Sequence, residues 1–378
     1  MTTSDLVKEM CQKQGISIAA LAKNLGQTRQ NFYKKLQRDT LTLKQIAEVL
    51  DANFEQLFRM PDGTKFSLKS ENKKRTVLPL VGSAFEPGGA KEAIERIQDK
   101  ELSEIAQAEL YFFSAQAENC VKIVENYLSS EDIMLRLSAD MLYTFANLTL
   151  GNAKEAQSSR EDVYKCLKWV FQEDETNEKK ASCVFAFYVI SIFIHIPPEE
   201  NIPPLEKYIP YLPIGQRLFA SSLLAHETYL RMEYAKAQGI VQSAMLMSDG
   251  TYPISMIYLN CVAAMCQINL REQEEAKKSV SFAWEMARKD GFLEPFIEYH
   301  GLLQGVLEAC VRKSEPEVYK KLVDGVIAFS RGWMKIHNPK MQKARICSHR
   351  WSTPLLCLPA VTGQIRKSGS IWDCRLIR

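Results

Sequence analysis

The chain has ten cysteines and no Cys-x-x-Cys pair. The thiols stand singly at 11, 120, 166, 183, 261, 266, 310, 347, 357 and 374, and none is in ligand spacing with the five histidines. A zinc site is therefore not expected, and thiols scattered through apolar helical contexts suit a reducing compartment. The 17 glycines form no phosphate-cradling loop, and there is neither a paired-carboxylate frame nor a nucleophile–base signature. The sequence thus predicts a non-enzyme with no cofactor and no metal. Its longest apolar stretch, Val184 to Ile196, falls short of the roughly 20 residues of a spanning helix and is expected as a buried helix, with no membrane partner. Met1 to Met10 is polar with charges of both signs, unlike a signal peptide, so a cytoplasmic location is expected.

What is present is an ordinary globular composition, 46% hydrophobic and 25% charged, in 378 residues, enough for two or three domains. The net charge of +3 conceals an asymmetry. Residues 1–75 carry 14 Lys and Arg against 8 Asp and Glu, residues 343–378 carry 7 against 1, and the middle carries 27 against 36. A basic head on an acidic body suits a head that meets a polyanion.

The head reads as five short helices. Leu6, Val7 and Met10 give an amphipathic stretch over 5–14; Ser17 caps a helix with Leu21, Ala22 and Leu25 inward, and Gly26 ends it. Thr28 caps the next, in which Phe32 and Leu36 are four apart and pack inward. Arg29, Gln30, Asn31, Tyr33 and Lys34 then point outward, with the donors and acceptors that read base edges or grip phosphates. On these residues alone the stretch is either a DNA recognition helix or the solvated face of an ordinary one. Thr42 caps a fourth helix and Asn53 a last one ending at Phe58, followed by a turn at Pro61-Asp62-Gly63.

Gly15-Ile16-Ser17, Leu21-Ala22, Leu25-Gly26, Thr28-Arg29-Gln30, Leu36, Ile46-Ala47 and Phe54-Glu55-Gln56-Leu57-Phe58, in that order, resemble the Cro/C1-type (phage repressor, XRE) helix-turn-helix family over about one sixth of the chain. The resemblance implies a DNA-binding domain over residues 1–62. Base-reading would fall to Arg29, Gln30 and Lys34, and phosphate contact to Gln27, Thr28, Asn31 and Lys35. Many members carry Gln after the Ser that opens the second helix; Ile18 stands there instead.

Residues 63–90, with Lys73-Lys74-Arg75, Pro79 and Pro87-Gly88-Gly89, read as a basic linker whose cations could add phosphate contacts. Residues 91–342 show the 3.6-residue period almost throughout, making the expected fold all-α. A motif recurs with its small residue at Cys120, Ala156, Ala237 and Ala276, spaced 36, 81 and 39, which leaves one degenerate unit across 190–215 where six prolines gather. The pattern resembles tetratricopeptide-like repeats, with an irregular helical bundle as the other reading. Asn147 and Asn260, near the ends of first helices, are candidate clamps for a bound peptide backbone. His195, His226, His300 and His337 stand singly and read as structural.

After Lys343 the helical period stops. With a one-base shift of reading frame, Cys347 to the end can encode a string similar to a LuxR-type helix-turn-helix, with Leu-Thr-Pro-x-Glu, Asn-Lys-Glu-Ile and Leu-Ser-x-x-Thr-Val. Trp372-Asp373-Cys374 can then give only Gly-Leu. Residues 343–378 are accordingly expected as a disordered or frameshifted tail. Together the resemblances imply a bacterial sequence-specific transcription regulator, a homodimer on double-stranded DNA with a sensing body open to a peptide or protein effector. A peptide-pheromone receptor of the same plan, and a repeat scaffold with a vestigial head, remain as alternatives.

Overall fold

The computed structural model describes residues 7–8, 11–12, 16–25, 28–37, 54–59, 65–70, 75–173, 175–196, 202–248 and 251–337. The chain divides into two compact units, Met1–Lys74 and Arg75–Arg378. Helix dominates, as the periodicity predicts. The fourth head helix (42–50) and the tail (343–378) lie outside the described residues.

In the first unit α1 (Ile18–Asn24) and α2 (Arg29–Gln37) pack on each other. The expected last head helix is replaced by β1 (Phe54–Arg59), paired antiparallel with β2 (Lys65–Ser70), with Phe58 opposite Phe66. The correction has a physical reason. Pro61-Asp62-Gly63 is a strong turn, and the run beyond it alternates apolar and polar residues at Phe66 and Leu68, so the two runs form a hairpin. Composition alone had made the second run a linker.

The second unit opens with two short helices, α3 (Pro79–Gly82) and α4 (Ala90–Glu95). Helix pairs follow: α5 (Lys100–Phe113) with α6 (Ala117–Val124), and α7 (Ile133–Leu150) with α8 (Ala153–Gln172). α9 (Asn177–Phe193) is followed, among the described residues, by two 3-10 turns packed on it, Leu205–Lys207 and Ile209–Tyr211, in place of a second helix. Then come α10 (Ile214–Leu230) with α11 (Tyr234–Leu246), and α12 (Pro253–Asn269) with α13 (Gln273–Asp290). α14 (Glu294–Tyr299), α15 (Val306–Val311) and the long α16 (Pro316–His337) complete it. Cys120, Ala156, Ala237 and Ala276, the small residues of the repeat, are all fully buried. The degenerate unit is the one in which prolines replace the second helix by turns.

One turn is repeated through the array. Ala115, Gly151, His195, Met232 and Arg271 each follow a first helix and each has positive φ. In every case the next residue's N–H bonds back across five residues, as Gln116 N does to Tyr111 O at 2.8 Å and Glu272 N to Gln267 O at 2.8 Å. This is the Schellman closure, which satisfies the last carbonyls of the helix. Only one of the five positions is glycine; elsewhere the packing of the next element holds a left-handed residue costing roughly 1–2 kcal/mol.

The first helices close into a ring. α5, α7, α9, α10, α12 and α14 touch in succession, and α14 returns to α5, where Leu293 N donates to Phe113 O at 2.7 Å. Each contributes one aromatic ring to a common hub: Phe113, Phe145, Phe193, Phe219, Tyr258 and Tyr299. Phe219 and Tyr258 lie 4.8 Å apart and Phe193 and Tyr258 5.5 Å apart, edge to face, the geometry the ring quadrupoles favour.

Residues 75–90, expected as a linker, instead form a strap built into this core. Val77, Leu80 and Val81 are buried. Leu78 N donates to Ser138 of α7 (3.0 Å), Leu80 N and Val81 N to the Glu109 carboxyl of α5 (2.9 and 3.0 Å), and Gln216 of α10 donates to Val77 O. Farther on, Gly88 N and Ala90 N donate to Asp290 at the end of α13. Apolar side chains and side-chain acceptors 28 to 202 residues away decide this placement, and local composition carries no trace of them. From the other side α16 seals the ends of α7 and α9: Lys335 Nζ donates to Gly151 O (3.0 Å) and His337 Nε2 to Ile194 O (2.6 Å).

Candidate nucleic-acid interface

The first unit builds one exposed polar face on a small core. Val7 and Cys11, four apart, join Leu21, Ala22 and Phe32 in that core, with Ile16, Ile18 and Leu25 packed around it. Ala22 is fully buried where the two helices meet, so a larger side chain there would separate them. Ser17 caps α1, its Oγ accepting from Ala20 N at 3.1 Å. Thr28 caps α2, its Oγ1 accepting from Asn31 N at 3.3 Å. These two caps fix where each helix begins, and the buried Phe32 fixes the rotation of α2 about its axis. Thr28, Gln30, Asn31, Lys34 and Lys35 are consequently exposed.

Of the expected base-reading residues, the structure places Gln30 and Lys34 on this face, four residues apart and therefore neighbours on the helix surface. Arg29 opens the same helix. Thr28, Asn31 and Lys35, assigned to phosphate, share the exposed side, while Thr28 also spends its hydroxyl on the cap. Gln27 lies outside the described residues. With two cations and two amides on one face, α2 offers both bidentate and point-charge donors to a polyanion.

Arg75 does not add to that face. Its guanidinium pairs with Asp99 (2.9 Å), Asp132 (3.1 Å) and Glu101 in the second unit, and the side chain is one-tenth exposed. Asp99 and Asp132 are themselves the N-caps of α5 and α7. Arg75 thus clamps two helix starts at the head of the strap, which corrects the expected phosphate role. Sequence reasoning missed it because the partners lie 24 and 57 residues away.

Asn147 and Asn260 are also corrected. Both are buried, and their amides donate within their own helices, to Tyr143 O (3.0 Å) and Met256 O (2.8 Å). Asn147 also accepts from Asn152 (3.0 Å) at the turn after α7. Neither amide is presented to a peptide. The histidines are absorbed by packing: His226 is buried beside Tyr299, with burial holding its pKa well below the ordinary value, and His300 pairs with Glu308 at 3.1 Å. His195 lies edge-on to Trp333. Among the described residues no cluster of three or more His, Cys, Asp or Glu could hold a metal ion. No described helix is long and apolar enough to cross a membrane. Comparison of the chain with protein-family models, curated proteins and solved structures gives no match.

Proposed function

We propose that the chain is a sequence-specific regulator that binds double-stranded DNA through α2 and uses its helical body for docking or sensing. The observation that carries this reading is the exposed row Gln30, Asn31, Lys34 and Lys35 on a capped helix whose rotation is fixed by the buried Phe32. The order of motifs resembling Cro/C1-type heads, and the excess of cations over residues 1–75, support it. The filled hub and the internal bonding of Asn147 and Asn260 favour this reading over a receptor that takes a peptide along the inner face of the repeats. The likeness to repressor heads also suggests a homodimer, because two half-sites supply affinity that one small head lacks.

Selection of bound fragments from random duplex DNA tests the proposal. A single enriched motif is expected for the parent chain. Gln30→Ala and Arg29→Ala should each relax preference at one position by about 1–3 kcal/mol, whereas Lys35→Ala should weaken binding to all sequences alike and reduce the salt slope by about one. No enrichment, with all three variants binding as the parent does, would leave the body as a scaffold and the head without a role.

A further inference from the structure

We infer that the outer face of α11 docks on the same face of a second copy of this chain, antiparallel, with Gly239 at the dyad. The inference deepens the regulator reading, which needs a dimer, by naming the surface.

Four observations meet on this helix. First, α11 is depleted of charge. The other long outer helices, α8 and α13, carry seven and eight charged residues; α11 carries one, Lys236, and Glu233 of the same chain neutralises it at 2.9 Å. Loss of charge from the centre of a patch is what separates an interface from ordinary surface. Second, large apolar side chains stand in solvent at both ends: Met232 is 49% exposed, Leu246 86% and Met247 82%. Third, Ala235, Gly239, Gln242 and Leu246 are all exposed and fall on one stripe of the helix. Fourth, among the described residues nothing approaches Gly239 closely enough to require a glycine. Its φ is not left-handed, and a Cβ built on it would meet nothing within 4 Å. A glycine inside an exposed helix costs about 0.8–1.0 kcal/mol relative to alanine. A helix crossing it closely would use the room that the absent side chain leaves.

The face is complementary to itself. Met232 lies seven residues before Gly239 and Leu246 seven after. Antiparallel pairing about Gly239 therefore brings the Met232 end of one copy onto the Leu246–Met247 end of the other, and the small Ala235 opposite Ser243. An isologous contact sets every charge against a copy of its own surroundings, so a patch bearing a net charge repels itself. Here the only helix charge is already paired. A shallow groove of about 560 Å³ beside the stripe, lined by Ser221 of α10 and by Lys236, Gly239, Ile240, Ser243, Ala244 and Met247, gives the partner helix a seat.

Sedimentation equilibrium of the full chain without DNA tests the proposal. The parent should be a dimer, and Leu246→Glu and Gly239→Gln should each weaken association at least tenfold with an unchanged monomer melting temperature, since both positions are open to solvent. Gly239→Cys should cross-link to its own copy on mild oxidation, the bridge mapped by peptide mass spectrometry. Leu246→Cys should bridge to Met232→Cys in a mixed sample. A monomeric parent, or a dimer indifferent to both substitutions with no 239–239 bridge, overturns the inference. Because no DNA is present, a dimer that later fails to select an operator leaves this interface standing and removes only the DNA reading.

Discussion

Gly332→Ala is expected to lower the stability of the helical body by about 3 kcal/mol and to loosen α16 from the ring. Overpacking a well-filled contact costs about 1–3 kcal/mol, and more when backbone is struck. A Cβ at 332 would lie 2.6 Å from the Leu148 carbonyl carbon and 2.9 Å from its Cα, and closer still to the carbonyl oxygen. These are backbone atoms at the end of α7, unable to rotate aside, so the helices must separate. Separation strains the Lys335–Gly151 and His337–Ile194 bonds together. Gly325→Ala, one helical stretch earlier, is the natural control. Its Cβ would meet the Cδ1 end of the Ile297 side chain at 2.5 Å, which can change rotamer. Urea denaturation gives the two costs, and limited proteolysis within 316–337 reports the loosening. Equal, small costs at both positions would mean that α16 does not approach α7 as described.

Local signals were legible: Ser17 and Thr28 as caps, Phe32 as the inward residue of α2, Cys120, Ala156, Ala237 and Ala276 as contact points, and the buried helical run from Val184, which ends at Phe193 rather than at Ile196. Each depends on neighbours within a turn or two. The strap, the ring closure and the Arg75 clamp depend on partners far along the chain, so residues 75–90 read as a linker. The repeated left-handed turn was hidden for another reason: Ala115, His195, Met232 and Arg271 carry no glycine signature, and tertiary packing imposes their conformation. At the candidate interface the polar row was legible because the exposed face of α2 is simply the side opposite Phe32. The solitary glycine of α11 was visible as a letter, but its idleness emerges only when the space around it is known.

Glu109→Leu is expected to cost about 4 kcal/mol at pH 6.5 and about 2.5 kcal/mol at pH 8. Leucine would leave Leu80 N–H and Val81 N–H buried without an acceptor, and each unpaired buried group costs about 1–3 kcal/mol. Against this stands the carboxyl's own burial, which raises its pKa from 4.5 to about 8 despite the two N–H bonds that favour the anion. The unfolded carboxyl releases its proton near 4.5 and the folded one near 8. The stability this group contributes is therefore complete below 4.5 and declines as pH rises through 8. Between pH 6.5 and 8 the decline amounts to about 1.5 kcal/mol, which the parent loses and the leucine variant does not. Asp140, raised to about 7, and Glu298, raised to about 8, titrate in both proteins and cancel in the difference. His226, held neutral by burial, charges in the unfolded chain near pH 6.5, at the edge of the window, but does so in both proteins and cancels likewise. Parallel urea titrations at the two pH values read the difference directly. A cost that is the same at both would mean that Glu109 stays ionised throughout, and that its two N–H bonds outweigh its burial.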